Sequence, residues 1–176
     1  IKGKRPKAIM LENVRGLLSH DKGNTWEVIQ EELKKAQYDI HFKVIDAVHW
    51  VPQHRRRIFI VGFDKKQFDT NKVDFFSFPT EPITELKIGS ILQKRVKEKY
   101  TLKDGTWNSL QTIRERNRNM PKGQKKGFGY SIVDREGPSR TLTKRYFKDG
   151  AEILIEQKNK NPRRLTPLEA LRLMGF

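Results

Sequence analysis

Two short stretches hold the residues best suited to chemistry. Glu12 and Asn13 follow the apolar run Ala8-Ile9-Met10-Leu11 and precede Val14-Arg15-Gly16. A run this short and apolar predicts a buried strand in a parallel sheet. In open α/β sheets ligands bind just beyond the carboxyl ends of the strands, which is where Glu12 falls. The plainer reading is that Glu12 caps the next turn or pairs with Arg15. The second stretch is Val51-Pro52-Gln53-His54-Arg55-Arg56-Arg57, leading into Ile58-Phe59-Ile60-Val61-Gly62-Phe63. If Gln53, Arg55 and Arg57 enter this second strand, its period of two lines them up on one face. Planar guanidinium groups on a rigid strand suit a phosphate, a carboxylate or a base edge. A basic edge that discourages strand pairing has the same composition.

With Arg164-Leu165-Thr166-Pro167, Glu169 and Arg172-Leu173-Met174-Gly175-Phe176 at the other end, these stretches resemble three ordered signatures of DNA (cytosine-5) methyltransferases. The order is the family's: a Glu-Asn-Val strand end, a Gln-x-Arg-x-Arg strand, a variable segment and an Arg-Leu-Thr block. The family's usual Tyr-Gly or similar before Pro-Gln is here His49-Trp50-Val51. The resemblance implies an α/β fold: the later half of a Rossmann-like, S-adenosylmethionine-dependent methyltransferase sheet plus a small mixed target-recognition domain. Residues 1–80 then form the C-terminal part of the catalytic domain. Residues 81–176 form the target-recognition domain with the Arg-Leu-Thr helix.

The resemblance also implies roles. A target cytosine is flipped out of duplex DNA and attacked at C6 by a cysteine. Glu12 bonds N3 and the exocyclic amine. Arg57 holds the O2 edge and orients Glu12, while Arg55 makes a supporting or phosphate contact. Asn13 orders the backbone, and Gln53 supports. Methyl transfer from S-adenosyl-L-methionine to C5 completes the cycle. The family's cysteine, in a Pro-Cys segment, and its Gly-rich cofactor loop both precede the Glu-Asn-Val signature. This chain has no cysteine, so the expectation is an enzyme as the parent protein, a chain inactive by itself, and a cofactor held mainly by an N-terminal half. The alternative is a non-catalytic DNA-binding module or one subunit of a split methyltransferase.

Within the variable segment, Gly127-Phe128-Gly129-Tyr130, Arg140-Thr141-Leu142 and Arg145-Tyr146-x-Lys148-Asp149-Gly150-Ala151-Glu152 are similar to the Dcm-like branch, with sites of the CC(A/T)GG or CCNGG type. Arg140, Lys144 and Arg145 are the candidates for base or phosphate contacts. Lys125 and Lys126 lie in a Gly- and Lys-rich loop over residues 119–130 that suits a phosphate backbone, or is simply a solvated loop. The expected setting is a restriction-modification system in a bacterial or phage-borne cytoplasmic enzyme, with double-stranded DNA as partner.

The elements that must position these groups are legible in part. Asn24 reads as the N-cap, with Glu27 at the third helical position, of a helix whose apolar stripe is Trp26, Ile29, Leu33 and Ala36. Ile40, Phe42 and Val44 alternate as a strand, which fits a crossover α/β sheet. The span 64–82, with Pro79 and Pro82, reads as a boundary. Residues 83–99 and 107–118 read as helices. Residues 131–133 read as a short strand, and 140–147 with 153–155 as a hairpin around Lys148-Asp149-Gly150. Thr166, Pro167 and Glu169 spell a helix start, and Gly175 a stop.

Composition narrows the class. The 176 residues carry 37 Lys and Arg against 21 Asp and Glu, a net charge of +16 spread along the chain, which favours a polyanionic partner. No apolar run approaches the ~20 residues of a membrane span, and no secretory pattern opens the chain. The four histidines lack metal-ligand spacing, and without cysteine there is no thiolate zinc site or disulfide. The chain begins with Ile rather than Met, so processing or upstream sequence is expected.

Overall fold

The computed structural model describes residues 1, 3–69, 76–83, 86–121, 124 and 129–176. The chain divides into two compact units, Ile1–Asp46 with Arg55–Glu81 and Ala47–His54 with Pro82–Phe176.

The first unit is built on three strands, β1 (Ala8–Val14), β2 (Tyr38–Asp46) and β3 (Arg56–Asp64), in the order β1-β3-β2. Both outer strands run antiparallel to β3, with Glu12 opposite Phe59 and Val44 opposite Ile58. The parallel sheet expected from the apolar run is therefore corrected. The connection from β1 through α1 (Asn24–Lys35) does cross over, and β3 fills the slot between the two parallel strands from the opposite direction. Nor is β1 buried. It lies at the edge, where only Ile9 is covered and Met10, Leu11 and Val14 remain exposed.

One face of this sheet carries the core. Ile9, Tyr38, Ile58 and Ile60 pack with Trp26 and Leu33 of α1, and Ile29, Ala36, Ile40 and Val44 close around them. This is the amphipathic stripe predicted for the helix. Gly62 permits the packing, because a Cβ there would stand 2.9 Å from Cγ1 of Ile9. The N-cap is Gly23, not Asn24: Asp21 and Lys22 both adopt positive φ, and Gly23 continues the left-handed turn at φ 102°. Arg5 ties the approach to β1 to the end of β3 through bonds of 2.8 and 2.6 Å to the buried Asp64 carboxylate. Hydrogen bonds from Arg5 and Gln67 hold that carboxyl well below the usual range.

The second unit centres on two apolar clusters. Ile88, Tyr146, Ile153, Ile155, Leu165 and Leu173 form one; Leu102, Ala151 and Leu154 form the other, against Trp107, Leu110 and Tyr130. Helix α2 (Asp104–Arg118) matches the predicted 107–118 segment. It sets Trp107 edge-on to Tyr130, over whose ring Arg114 lies at 4.9 Å. Among the described residues of the helix expected over 83–99 there are instead two 3-10 turns, Ile88–Ile91 and Glu98–Tyr100. There the N–H groups of Ile88 and Gly89 donate to Gly137 and Arg135, so a neighbouring segment takes the bonds a helix would have used.

The predicted hairpin around Asp149-Gly150 is also corrected. Residues Tyr146–Asp149 form a one-turn helix, α3, and Arg145 bonds Asp149 at 2.6 Å across it. The two-stranded sheet lies later, between β4 (Ile155–Gln157) and β5 (Lys160–Arg163). Residues 131–133 make a parallel bridge, Ile132 to Leu154. Helix α4 (Pro167–Leu173) has the predicted capping box between Thr166 and Glu169, and Gly175 follows at φ 93°.

Gly150 is packed so closely on Tyr146 that an added Cβ would collide with that residue's backbone and ring. Gly150→Ala is therefore expected to cost at least ~2 kcal/mol and lower the melting temperature. A thermal melt equal to that of the parent would show the turn has slack the packing denies.

Candidate functional site

The strand register decides where the singled-out residues point. Residues 57, 59 and 61 of β3 face away from α1, and Ala8, Met10 and Glu12 of β1 share that face. Glu12 sits diagonally across from Arg57, whose Nε donates to Glu12 Oε1 at 2.9 Å. Arg57 Nη1 also donates to the Arg56 carbonyl at 2.8 Å, so the guanidinium is held from two sides. Arg57 is 18% exposed and Glu12 46%. The pair thus presents a carboxylate to solvent, backed by a fixed cation. Asn13 folds its side-chain oxygen onto the Val14 N–H at 2.8 Å.

The expected alignment of Gln53, Arg55 and Arg57 on one strand face is not found. Strand β3 begins only at Arg56. Arg55 donates its backbone N–H to Asp46 Oδ1 at 2.8 Å, and Arg56 bonds the other oxygen of Asp46 at 3.0 Å. Gln53 belongs to the second unit, where it is fully buried. Its Nε2 donates to the Leu173 carbonyl at 3.2 Å, and its Oε1 accepts from Leu142 N–H at 2.7 Å. The physical reason is that the backbone after Pro52 pairs with Ser139 before the chain can enter the strand.

Among the nucleic-acid candidates, Arg140 and Lys144 are exposed, and Arg145 is engaged with Asp149. Lys125 and Lys126 lie outside the described residues. Two features escaped the sequence reading. The first is Phe147, an aromatic ring 75% exposed with Lys148 Nζ 5.9 Å from its centroid. The second is a buried ion pair between Arg163 and Glu169 at 2.8 Å. No periodicity marks either one, since each depends on what the fold leaves outside or folds together.

An apolar groove of about 540 Å³ runs along the same face of the first unit as Glu12 and Arg57, lined by Ala8, Met10, Phe59, Val61, Phe76 and Phe78 among others. Among the described residues no group of three or more His, Asp or Glu is placed to hold a metal ion. No helix of the described residues is long and apolar enough to cross a membrane.

The description of C-5 cytosine-specific DNA methylases matches residues 1–176. The chain belongs to this family. It is 46% identical to the type II methyltransferase M.SsoII of Shigella sonnei, covering 100% of this chain and 45% of that protein. It is 47% identical to M1.ScrFI of Lactococcus lactis subsp. cremoris over 100% of this chain and 44% of the relative. A DNA-cytosine methyltransferase of Escherichia coli K12 is 37% identical, over 100% of this chain and 43% of its own length. This methylase-family chain thus spans about half the length of the curated relatives it matches. Among solved structures, S. pombe Dnmt2 methyltransferase superposes with a TM-score of 0.67 at 18% identity, over 97% of this chain and 54% of that one. The Entamoeba histolytica methyltransferase EhMeth gives 0.64 at 21%, over 97% and 51%. The methylase family read from the three ordered signatures is the one found, and the mixed α/β fold is shared with these structures.

Proposed function

We propose that this chain is the later part of a DNA (cytosine-5) methyltransferase of a bacterial restriction-modification system, acting on cytosine in a CC(A/T)GG or CCNGG-type duplex site. The observation that carries the reading is the Glu12–Arg57 pair, a half-exposed carboxylate fixed by a guanidinium on the sheet face opposite the core. A flipped cytosine presents N3 and its exocyclic amine on one edge and O2 beside them. A carboxyl group that accepts from the amine and, once protonated, donates to N3, beside a guanidinium that donates to O2, is complementary to that edge. Attack at C6 places negative charge on the ring, and Glu12 is the group positioned to neutralise it at N3. Arg57 steadies Glu12 and meets O2. Arg55, with its side chain uncommitted to an ion pair among the described residues, serves phosphate or support.

The 176 residues contain no cysteine, so the attacking thiolate is supplied from elsewhere in the working enzyme. The methyl donor, S-adenosyl-L-methionine, needs partners for an amino acid, a ribose and an adenine. Among the described residues the groove beside Met10 and Phe59 has an apolar lining without the polar side chains for that task. Residues 1–80 then serve catalysis and 81–176 target recognition, except that Ala47–His54, with the buried Gln53, belongs to the same compact unit as the recognition part.

The test is incorporation of label from methyl-tritiated S-adenosylmethionine into duplexes carrying the candidate sites. Label is expected at cytosine C5 with the natural full-length polypeptide, and none with the 176-residue chain alone. Failure of the full-length protein on every such duplex, or turnover by the isolated chain, would overturn the reading.

A further inference from the structure

Phe147 is 75% exposed, yet the turn that carries it is held by hydrogen bonds and close packing. It stands on the single turn of α3. Beneath it Tyr146 is buried, donating its hydroxyl to the Ile153 carbonyl at 2.6 Å and accepting the Leu165 N–H at 2.7 Å. Gly150 closes against the Tyr146 backbone with no room for a side chain. Arg145 and Asp149 clamp the turn from end to end with bonds of 2.6 and 3.3 Å. The chain therefore spends a tyrosine, a glycine and an ion pair on fixing a turn whose most prominent feature is an exposed apolar ring.

Cations flank the ring in the sequence, and one of them lies beside it. Arg140, Lys144 and Lys148 are all exposed, and Lys148 Nζ lies 5.9 Å from the centroid of the Phe147 ring. A single exposed aromatic with a cation beside it offers little to a protein, which needs a wider apolar patch. It suits a nucleic acid, whose phosphates meet the cations while a base offers its flat face to the ring.

We propose that Phe147 is a stacking wedge that inserts against a base step of the bound duplex, with Arg140, Lys144 and Lys148 gripping the flanking phosphates. The inference rests on the reading of duplex DNA as substrate. It adds a positioning residue: the ring takes the place of a stacking partner that a base loses when its neighbour is extruded, so the pre-formed turn lowers the cost of opening the helix.

The test uses the natural full-length polypeptide and duplexes with 2-aminopurine placed in turn at each position of the recognition site. Phe147→Ala should weaken binding about 10-fold while leaving unchanged the slope of log affinity against log salt, because the phosphate contacts remain. Phe147→Trp should restore the affinity. One 2-aminopurine position should change fluorescence with the parent protein and not with Phe147→Ala. Since the side chain is exposed, circular dichroism and the melting temperature should stay at parent values. Affinity of Phe147→Ala within about twofold of the parent, or identical 2-aminopurine profiles, would overturn the wedge while the DNA reading stands. Absence of duplex binding by the parent protein would overturn both.

Discussion

Glu12→Gln in the full-length polypeptide is expected to lower the single-turnover methylation rate by about 10²–10⁴-fold while leaving duplex affinity nearly unchanged. The substitution keeps the size and an oxygen able to accept the Arg57 Nε–H, which now bonds Glu12 at 2.9 Å. The ion pair weakens, but β1 is an edge strand and Glu12 is half exposed, so the fold is little affected. What the amide cannot do is hand over a proton. In the proposed reaction the ring nitrogen gains charge only as the C6 bond forms, so Glu12 acts on the transition state more than on the bound duplex. A loss confined to the rate is the signature of such a group. Equal losses of rate and affinity would make Glu12 a binding residue, and an unchanged rate would remove it from the chemistry.

Legibility in the sequence followed the range of the interactions. The capping box of Thr166 and Glu169 was readable because its two halves lie three residues apart, and the same bonds form in the structure. The stripe of α1 was readable because helical periodicity is a local property, and Trp26 and Leu33 are indeed its buried members. Strand pairing was not. Glu12 finds its partner 45 residues on, in a strand that enters the sheet antiparallel, and nothing in the run Ala8–Val14 specifies that direction. Gln53 shows the same limit more sharply. Alternation suggested a strand shared with Arg55 and Arg57, but the competing bonds come from Leu142 and Leu173, about 90 and 120 residues away. Asp149-Gly150 has the composition of a hairpin turn, yet Asp149 is drawn to Arg145 and Gly150 is required by the girth of Tyr146. For Glu12 and Gln53 a local preference yielded to contacts far away in the sequence, and at Asp149-Gly150 one local preference yielded to another four residues back.

The largest effect on stability is expected at a pair the sequence concealed, Arg163 and Glu169. The Arg163 guanidinium meets the carboxylate with two bonds, 2.8 and 2.9 Å, and their side chains are 6% and 0% exposed. The same carboxylate accepts the N–H of Gln93 at 2.7 Å and of Thr166 at 2.8 Å, so it joins the 3-10 turn region, β5 and the start of α4. Burial alone would push this carboxyl up. The bonds from Arg163, Thr166 and Gln93 prevail, and it lies below the usual range. A depressed pKa in the folded state means that the group stabilises the fold above its unfolded value of about 4.3. That contribution is lost as pH falls through the folded value. Glu169→Ala should therefore destabilise the second unit by about 3–5 kcal/mol, since it strands a buried guanidinium and two backbone donors. For a unit of this size the melting temperature should drop by more than 10 °C, roughly. Urea unfolding followed from pH 7 to pH 3 measures both consequences: the parent should lose its advantage over the variant as the acid limb is entered. The double variant Arg163→Met/Glu169→Leu should recover part of the loss, because removing both charges also removes the stranded cation. A midpoint for Glu169→Ala equal to the parent's at neutral pH would mean that water reaches the pair and that the unit is held by its apolar clusters alone.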